Sequence, residues 1–189
     1  MYKRQAYPNN EYTAEMYRVL GDADYHFGKY HEAMGAFEKY LANNKEEAPR
    51  RDALYMLGLS YYHSGVYTKA ANTLGEVATG NDALSQNAYL HMGLCIHETS
   101  YSAFGESVTV FEKFLNEFPN SQYVDKVSSY LVEVYMNTRS YEAALKSIER
   151  ITHPGAAILE AKQKILFHLG TQSFANTQFQ EAIGYFNQS

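Results

Sequence analysis

His31-Glu32 and His97-Glu98 open like H-E-x-x-H, in which two imidazoles one helical turn apart hold zinc and the carboxylate activates water. Gly35 and Tyr101 stand where the second histidine would have to be, so neither pair completes the set. His91 and Cys95 are four residues apart and could meet on one helix face. A thiolate nucleophile needs a base that is itself oriented and donors for an oxyanion, and the neighbouring residues offer neither. Cys95 falls two places after Gly93, where a small apolar filler is expected, and a sole cysteine excludes an internal disulfide. No glycine-rich phosphate loop or nucleophile elbow occurs. These residues predict no catalytic site, no cofactor and no metal centre.

What does recur is a set of small residues. Gly21, Gly58, Gly93, Val132 and Gly170 follow one another at roughly 37 residues. Ala33, Ala70, Ser107, Ala144 and Ala182 keep step with them, and a bulky residue stands four places later: Phe37, Leu74, Phe111, Ile148 and Phe186. Small residues in register mark close helix contacts, so the period predicts stacked helix pairs rather than one mingled core. The second unit reads Leu54-x2-Leu57-Gly58-x2-Tyr61, then Gly65-x-Tyr67-x2-Ala70-x3-Leu74-x2-Val77. Its first helix is expected over about 50–63, with Ser64-Gly65 as its stop, and its second over about 67–78.

This pattern resembles the tetratricopeptide repeat, W-x2-L-G-x2-Y…A-x3-F…P. The resemblance covers nearly the whole chain and implies an all-α, right-handed superhelical solenoid of antiparallel helix pairs. The units fall at 14–47, 51–84, 86–121, 125–156 and a truncated 163–189. Tyr7-Pro8-Asn9-Asn10 mirrors Phe118-Pro119-Asn120-Ser121, so residues 1–8 read as the tail of a preceding repeat and the chain as a piece of a longer array. Some positions depart from the pattern. Tryptophan is absent, Asp24 and Ser173 replace an aromatic residue, and Val132 replaces glycine. About two extra residues lengthen the third unit around Thr99-Ser100-Tyr101-Ser102.

The resemblance also implies where a partner sits, since the first helices of the repeats line a concave face. Carried over position by position, this face comprises Arg18, Asp22, Tyr25 and His26, then Tyr55, Leu59, Tyr62 and His63. Leu90, Leu94 and His97 follow from the third unit, Glu133 from the fourth, and Phe167 and Phe174 from the fifth. Such an aromatic trough suits an extended peptide or a helix, with tyrosine and phenylalanine as rigid anchors. Of the Lys and Asn set by which some relatives clamp a C-terminal carboxylate, Arg18 alone has the right charge, and Asp22 opposes it. Five histidines (His26, His63, His91, His97 and His168) lie on these helices. Zinc ligands must lie about 2.0–2.1 Å from the metal, whereas stacked helices stand about 8–10 Å apart, so these rings do not form a metal set. Their expected effect is a pH-dependent binding surface.

Composition agrees with a protein partner. A formal charge of -5 provides no excess of cations to neutralise phosphates, which argues against nucleic acid. Arg50-Arg51 sits among Glu46, Glu47 and Asp52 and reads as a solvated helix start. No apolar run is long enough to span a membrane. The wording of residues 111–121 and 141–144 resembles bacterial envelope repeat proteins. It implies a bacterial periplasmic or membrane-associated setting, with cytoplasm as the rival. The expected role is a protein-interaction scaffold. The alternatives are a peptide or small-ligand sensor domain, and a module that associates with itself through its exposed repeat ends.

Overall fold

The structure, a computed structural model, describes residues 11–99 and 105–189. The inferred tail at residues 1–8 and the lengthened turn at 100–102 lie outside the described residues. Every element among those described is an α-helix. Two compact units divide the chain, Met1–Cys95 and Ile96–Ser189.

The first unit holds α1 (Glu11–His26), α2 (Tyr30–Asn43), α3 (Glu47–His63), α4 (Tyr67–Val77) and most of α5 (Ala83–Thr99). Here α1 packs on α2, α2 on α3 and α3 on α4, so each of these four helices meets its sequence neighbour. The second unit holds α6 (Glu106–Glu117), α7 (Val124–Thr138), α8 (Tyr141–Glu149), α9 (Ala156–Ala175) and α10 (Phe179–Gln188). In it α6 meets α7 and α8, α9 meets α7 and α8, and α10 packs on α9. The helix α9 starts well before residue 163, where spacing put the fifth unit.

Three glycines are seats for bulky side chains. A Cβ on Gly21 would lie 2.8 Å from Phe37, one on Gly58 2.6 Å from Leu74 Cγ, and one on Gly170 2.6 Å from Phe186. In each hairpin the glycine of the first helix therefore receives the bulky residue of the second, sixteen places on. Two helices approach this closely only where one surface lacks a side chain. The partner alanines Ala33, Ala70, Ala144 and Ala182 are buried, as expected of residues in the packing seam.

Each hairpin turn is equally local. After α3, Gly65 adopts φ +74 and donates its N–H to Tyr62 O at 3.0 Å, while Val66 N–H reaches Tyr61 O at 2.9 Å. This pairing of the last carbonyls with a left-handed residue is the Schellman motif. Gly28 (φ +72) closes α1 in the same way. After α9 the same two bonds run from Thr177 to Phe174 and from Gln178 to Ser173, but the left-handed residue is Thr177 at φ 63. Arg139 holds the left-handed place after α7.

Polar ties join successive hairpins. Tyr61 Oη on α3 donates to Glu38 Oε1 on α2 at 2.5 Å. The equivalent positions two repeats later are Tyr135 and the buried Glu112, bridged by Ser147: Tyr135 Oη lies 2.6 Å from Ser147 Oγ, which donates to Glu112. Arg150 closes that group with two bonds of 2.7 Å to the Glu112 carboxylate. Arg51 is not merely solvated at a helix start. It grips Asp82 through two bonds of 2.6 and 2.8 Å and reaches Ser85 Oγ at 2.5 Å. Asp82 in turn caps α5 by accepting from Ser85 N–H at 2.8 Å. These donors hold the Asp82 carboxyl well below the usual carboxylate range.

Candidate functional site

In the first unit the rings gather where first helices end and second helices begin. Tyr25 closes α1 and Tyr30 opens α2, with ring centres 5.3 Å apart and edge to face. His63, at the end of α3, stacks on Tyr30 at 4.6 Å and meets Tyr25 at 5.9 Å. Tyr62 continues the series, 5.2 Å from His63, 5.9 Å from Tyr67 and 5.5 Å from His91. Six rings thus form a continuous ladder across α1 to α5. Stacked and edge-to-face rings at these distances attract through their quadrupoles, which fixes their faces relative to one another. At the α5 end of the ladder, His91 Nδ1 lies 2.9 Å from Asn87 O. Burial lowers the His63 pKa below its ordinary value, which favours the neutral imidazole. The Tyr25 hydroxyl is pushed up, chiefly by burial.

Tyr25, His26, Tyr62 and His63 from the expected set therefore do converge, with His26 at 6.3 Å from Tyr25 and exposed. Tyr55 is half-buried on the core. Arg18 is engaged on its own helix: Nη1 donates to Asp22 at 3.0 Å and Nε to Glu15 at 2.9 Å. That pairing cancels the cation at the one position suited to a carboxylate clamp. Three expected lining residues are buried instead. Leu59 joins the cluster around Leu57, Ala14 and Met34. Leu90 and Leu94 lie within α5, where Ala88, Tyr89, Leu90 and Gly93, Leu94, Cys95 form buried runs. Missing from the expected set were Tyr30, Tyr67 and His91, which complete the ladder. For Tyr30 and Tyr67 the sequence signal is the Gly-x-Tyr of the first two hairpin turns, and for His91 its place among the histidines of the first helices.

The second unit repeats part of this design. Tyr141, which opens α8, stacks on His168 of α9 at 4.8 Å and 2° between planes. That is the same use of a tyrosine at the start of a second helix and a histidine on the following first helix as in Tyr30–His63. Phe167 lies 6.5 Å from His168 and 5.9 Å from Phe186, while Phe174 lies 5.5 Å from Phe179. Phe167, His168, Gln163, Lys164 and Ser189 border a hollow of about 260 Å³. His97 and Glu133 meet with Tyr130, Val134, Asn137 and Thr138 around a smaller hollow of about 90 Å³. Among the described residues no cluster of three or more His, Cys, Asp or Glu is placed to hold a metal, and no helix is long and apolar enough to cross a membrane.

Glycine-seated hairpins, left-handed turn closures and neighbour-to-neighbour packing define an all-α solenoid of stacked helix pairs. Solved structures share this fold at low identity. A fragment of MamA from Desulfovibrio magneticus RS-1 is 18% identical with TM-score 0.55, over 93% of this chain and 92% of that one. The apo form of RapI is 11% identical with TM-score 0.57, over 96% and 83%. Residues 26–103 match the family described as anaphase-promoting complex, cyclosome, subunit 3. No curated protein matches the sequence. The repeat pattern resembles the tetratricopeptide repeat, and the fold of stacked helix pairs agrees with that resemblance.

Proposed function

We propose that the chain is a non-catalytic protein-interaction scaffold whose ring ladder holds a peptide or helix of a partner protein. The observation that carries this reading is the run Tyr25, Tyr30, His63, Tyr62, Tyr67 and His91, built from residues of five helices and shared across hairpins. Half-buried tyrosines with two rotatable angles lose little entropy on contact and offer both an apolar face and a hydroxyl, as binding anchors do. The Arg18–Asp22 pair leaves this surface without a free cation at the clamp position, which favours recognition by rings and hydroxyls over capture of a terminal carboxylate. Residues 26–103, which span most of the ladder, resemble a family described as a subunit of a larger complex, and that supports a role in holding other chains.

The test is selection of binders from a displayed random peptide library, followed by titration of the selected peptides. Tyr25→Ala with Tyr62→Ala is expected to weaken binding at least tenfold while the circular dichroism helix signal holds. Selected peptides that bind the double variant as tightly as the parent would place the contact surface elsewhere.

A further inference from the structure

Two successive pairs of first helices fill the same repeat positions differently. Tyr62 stands four residues after Gly58 and His91 two before Gly93, and their rings meet at 5.5 Å. One repeat on, the same places hold His97 and Tyr130, which make no ring contact with one another and border the hollow of about 90 Å³. The residue directly after the seat changes with them. Leu59 and Leu94 are buried there, whereas Glu133 is an exposed carboxylate on the wall of the hollow. Asn137, one helical turn beyond Glu133 on α7, borders the same space. Among the described residues Glu133 forms no ion pair, although Lys126 and Arg139 lie on α7 and its closing turn. The side chains of Glu133, Asn137 and His97 make no hydrogen bond among those residues either. Tyr130 supplies a fixed wall, since its ring stacks on Phe111 of α6 with 5.9 Å between centres and 11° between planes.

We propose that this hollow is a subsite for one arginine side chain of a bound partner. Small-molecule sites enclose about 300–1,000 Å³, so this space suits the head of a single side chain instead. Glu133 sets the sign: a carboxylate without a cation of its own repels an anion and attracts a cation. A guanidinium matches the two carboxylate oxygens with its planar fork. Its further N–H donors can serve Asn137 Oδ1 and the acceptor nitrogen of a neutral imidazole, and its flat face can lie against a tyrosine ring. An ammonium group has the charge but neither the fork nor the plane. One imidazole and one carboxylate fall short of the protein ligands that zinc takes, which leaves a side-chain cation as the occupant. None of the six ladder residues borders this hollow. The proposal rests on the scaffold reading only for the source of the arginine.

The experiment is an NMR titration of the 189-residue chain with Nα-acetyl-arginine N-methylamide at constant ionic strength, read at assigned backbone amides. Saturable shifts are expected at His97, Tyr130, Glu133, Val134 and Asn137. The lysine counterpart should bind more weakly, by about threefold or more. Glu133→Gln should remove the saturable shifts with the helix signal unchanged, since this side chain is exposed and unpaired. Glu76→Gln, which alters an exposed carboxylate on α4, should leave them as in the parent. If Glu133→Gln loses helix signal, Asn137→Ala and His97→Ala carry the same test, each expected to weaken binding by about twofold or more. An arginine compound that shifts none of these amides up to its solubility limit would overturn the proposal. So would a lysine compound that binds as tightly, or a Glu133→Gln variant that binds as the parent does. Tyr25→Ala with Tyr62→Ala should leave this titration unaltered, so the subsite and the ring ladder fail separately.

Discussion

At the residue scale the glycine seats set the tightest tolerances. Leu74 is buried and presses Cγ and Cδ2 against the place of a Gly58 Cβ, at 2.6 and 2.7 Å. Alanine at Gly58 gains about 1 kcal/mol of helix propensity. Overpacking should cost about 1–3 kcal/mol, and the clash is with a side chain that has nowhere to go. We expect Gly58→Ala to lower the melting temperature. Gly170→Ala should be tolerated, because the ring seated there belongs to the partly exposed Phe186; thermal denaturation of the pair tests this order. Thr177 is the opposite case. A β-branched residue held left-handed costs about 1–2 kcal/mol, against about 0.5–1 kcal/mol of extra chain entropy for glycine. Thr177→Gly should therefore raise stability by roughly 1 kcal/mol in urea titration. Both effects follow from positions the sequence displayed, because a small residue in register can be counted. The left-handed Thr177 is legible only by register, since it stands seven places after Gly170 as Gly28 and Gly65 do after Gly21 and Gly58, while its own residue type announces nothing.

At the scale of elements, what was hidden is what joins one hairpin to the next. Glu112 and Arg150 are far apart in the chain and look like surface charges on two amphipathic helices. Only the packing of α6 on α8 brings them together and buries the carboxylate under Ser147 and Tyr135. Glu112→Gln leaves Arg150 and the buried hydroxyls without their charged acceptor. We expect a loss of about 1–3 kcal/mol in denaturant titration. Arg51 misled for the same reason: its acidic sequence neighbours suggested solvation, while its acceptor Asp82 comes from the turn before α5. Leu59, Leu90 and Leu94 are buried although their repeat positions predict an open face, because position within one repeat does not say how much a neighbouring helix covers. The Tyr30–His63 stack carries a pH signature. Burial lowers the folded His63 pKa below 6.5, so the neutral ring's contribution is fully present above that value. As pH falls through about 6.5 the unfolded chain takes the proton first, and this contribution declines. His63→Phe keeps the ring and removes the proton, and its melting temperature should fall less than the parent's between pH 7.5 and 5.5.

At the scale of the whole molecule, nearest-neighbour packing makes stability a sum over hairpins and the contacts between them. A lesion should therefore be felt locally. Hydrogen exchange of Gly58→Ala is expected to speed most in α3 and α4, with α8 to α10 retaining their protection; a uniform loss along the chain would contradict this. The fold was readable because each repeat states its own pattern, and five statements agree. The ring ladder was less legible, since rings at hairpin turns look like packing until their neighbours are seen. The glycine seats carry a consequence for how such a chain changes over generations. Where Val132 fills the seat, the residue sixteen places on is Ile148, in place of the Phe37, Leu74 or Phe186 that an empty seat receives. Cavity and plug are thus inherited as a couple, and a hairpin transplanted from another array should bring both members or neither.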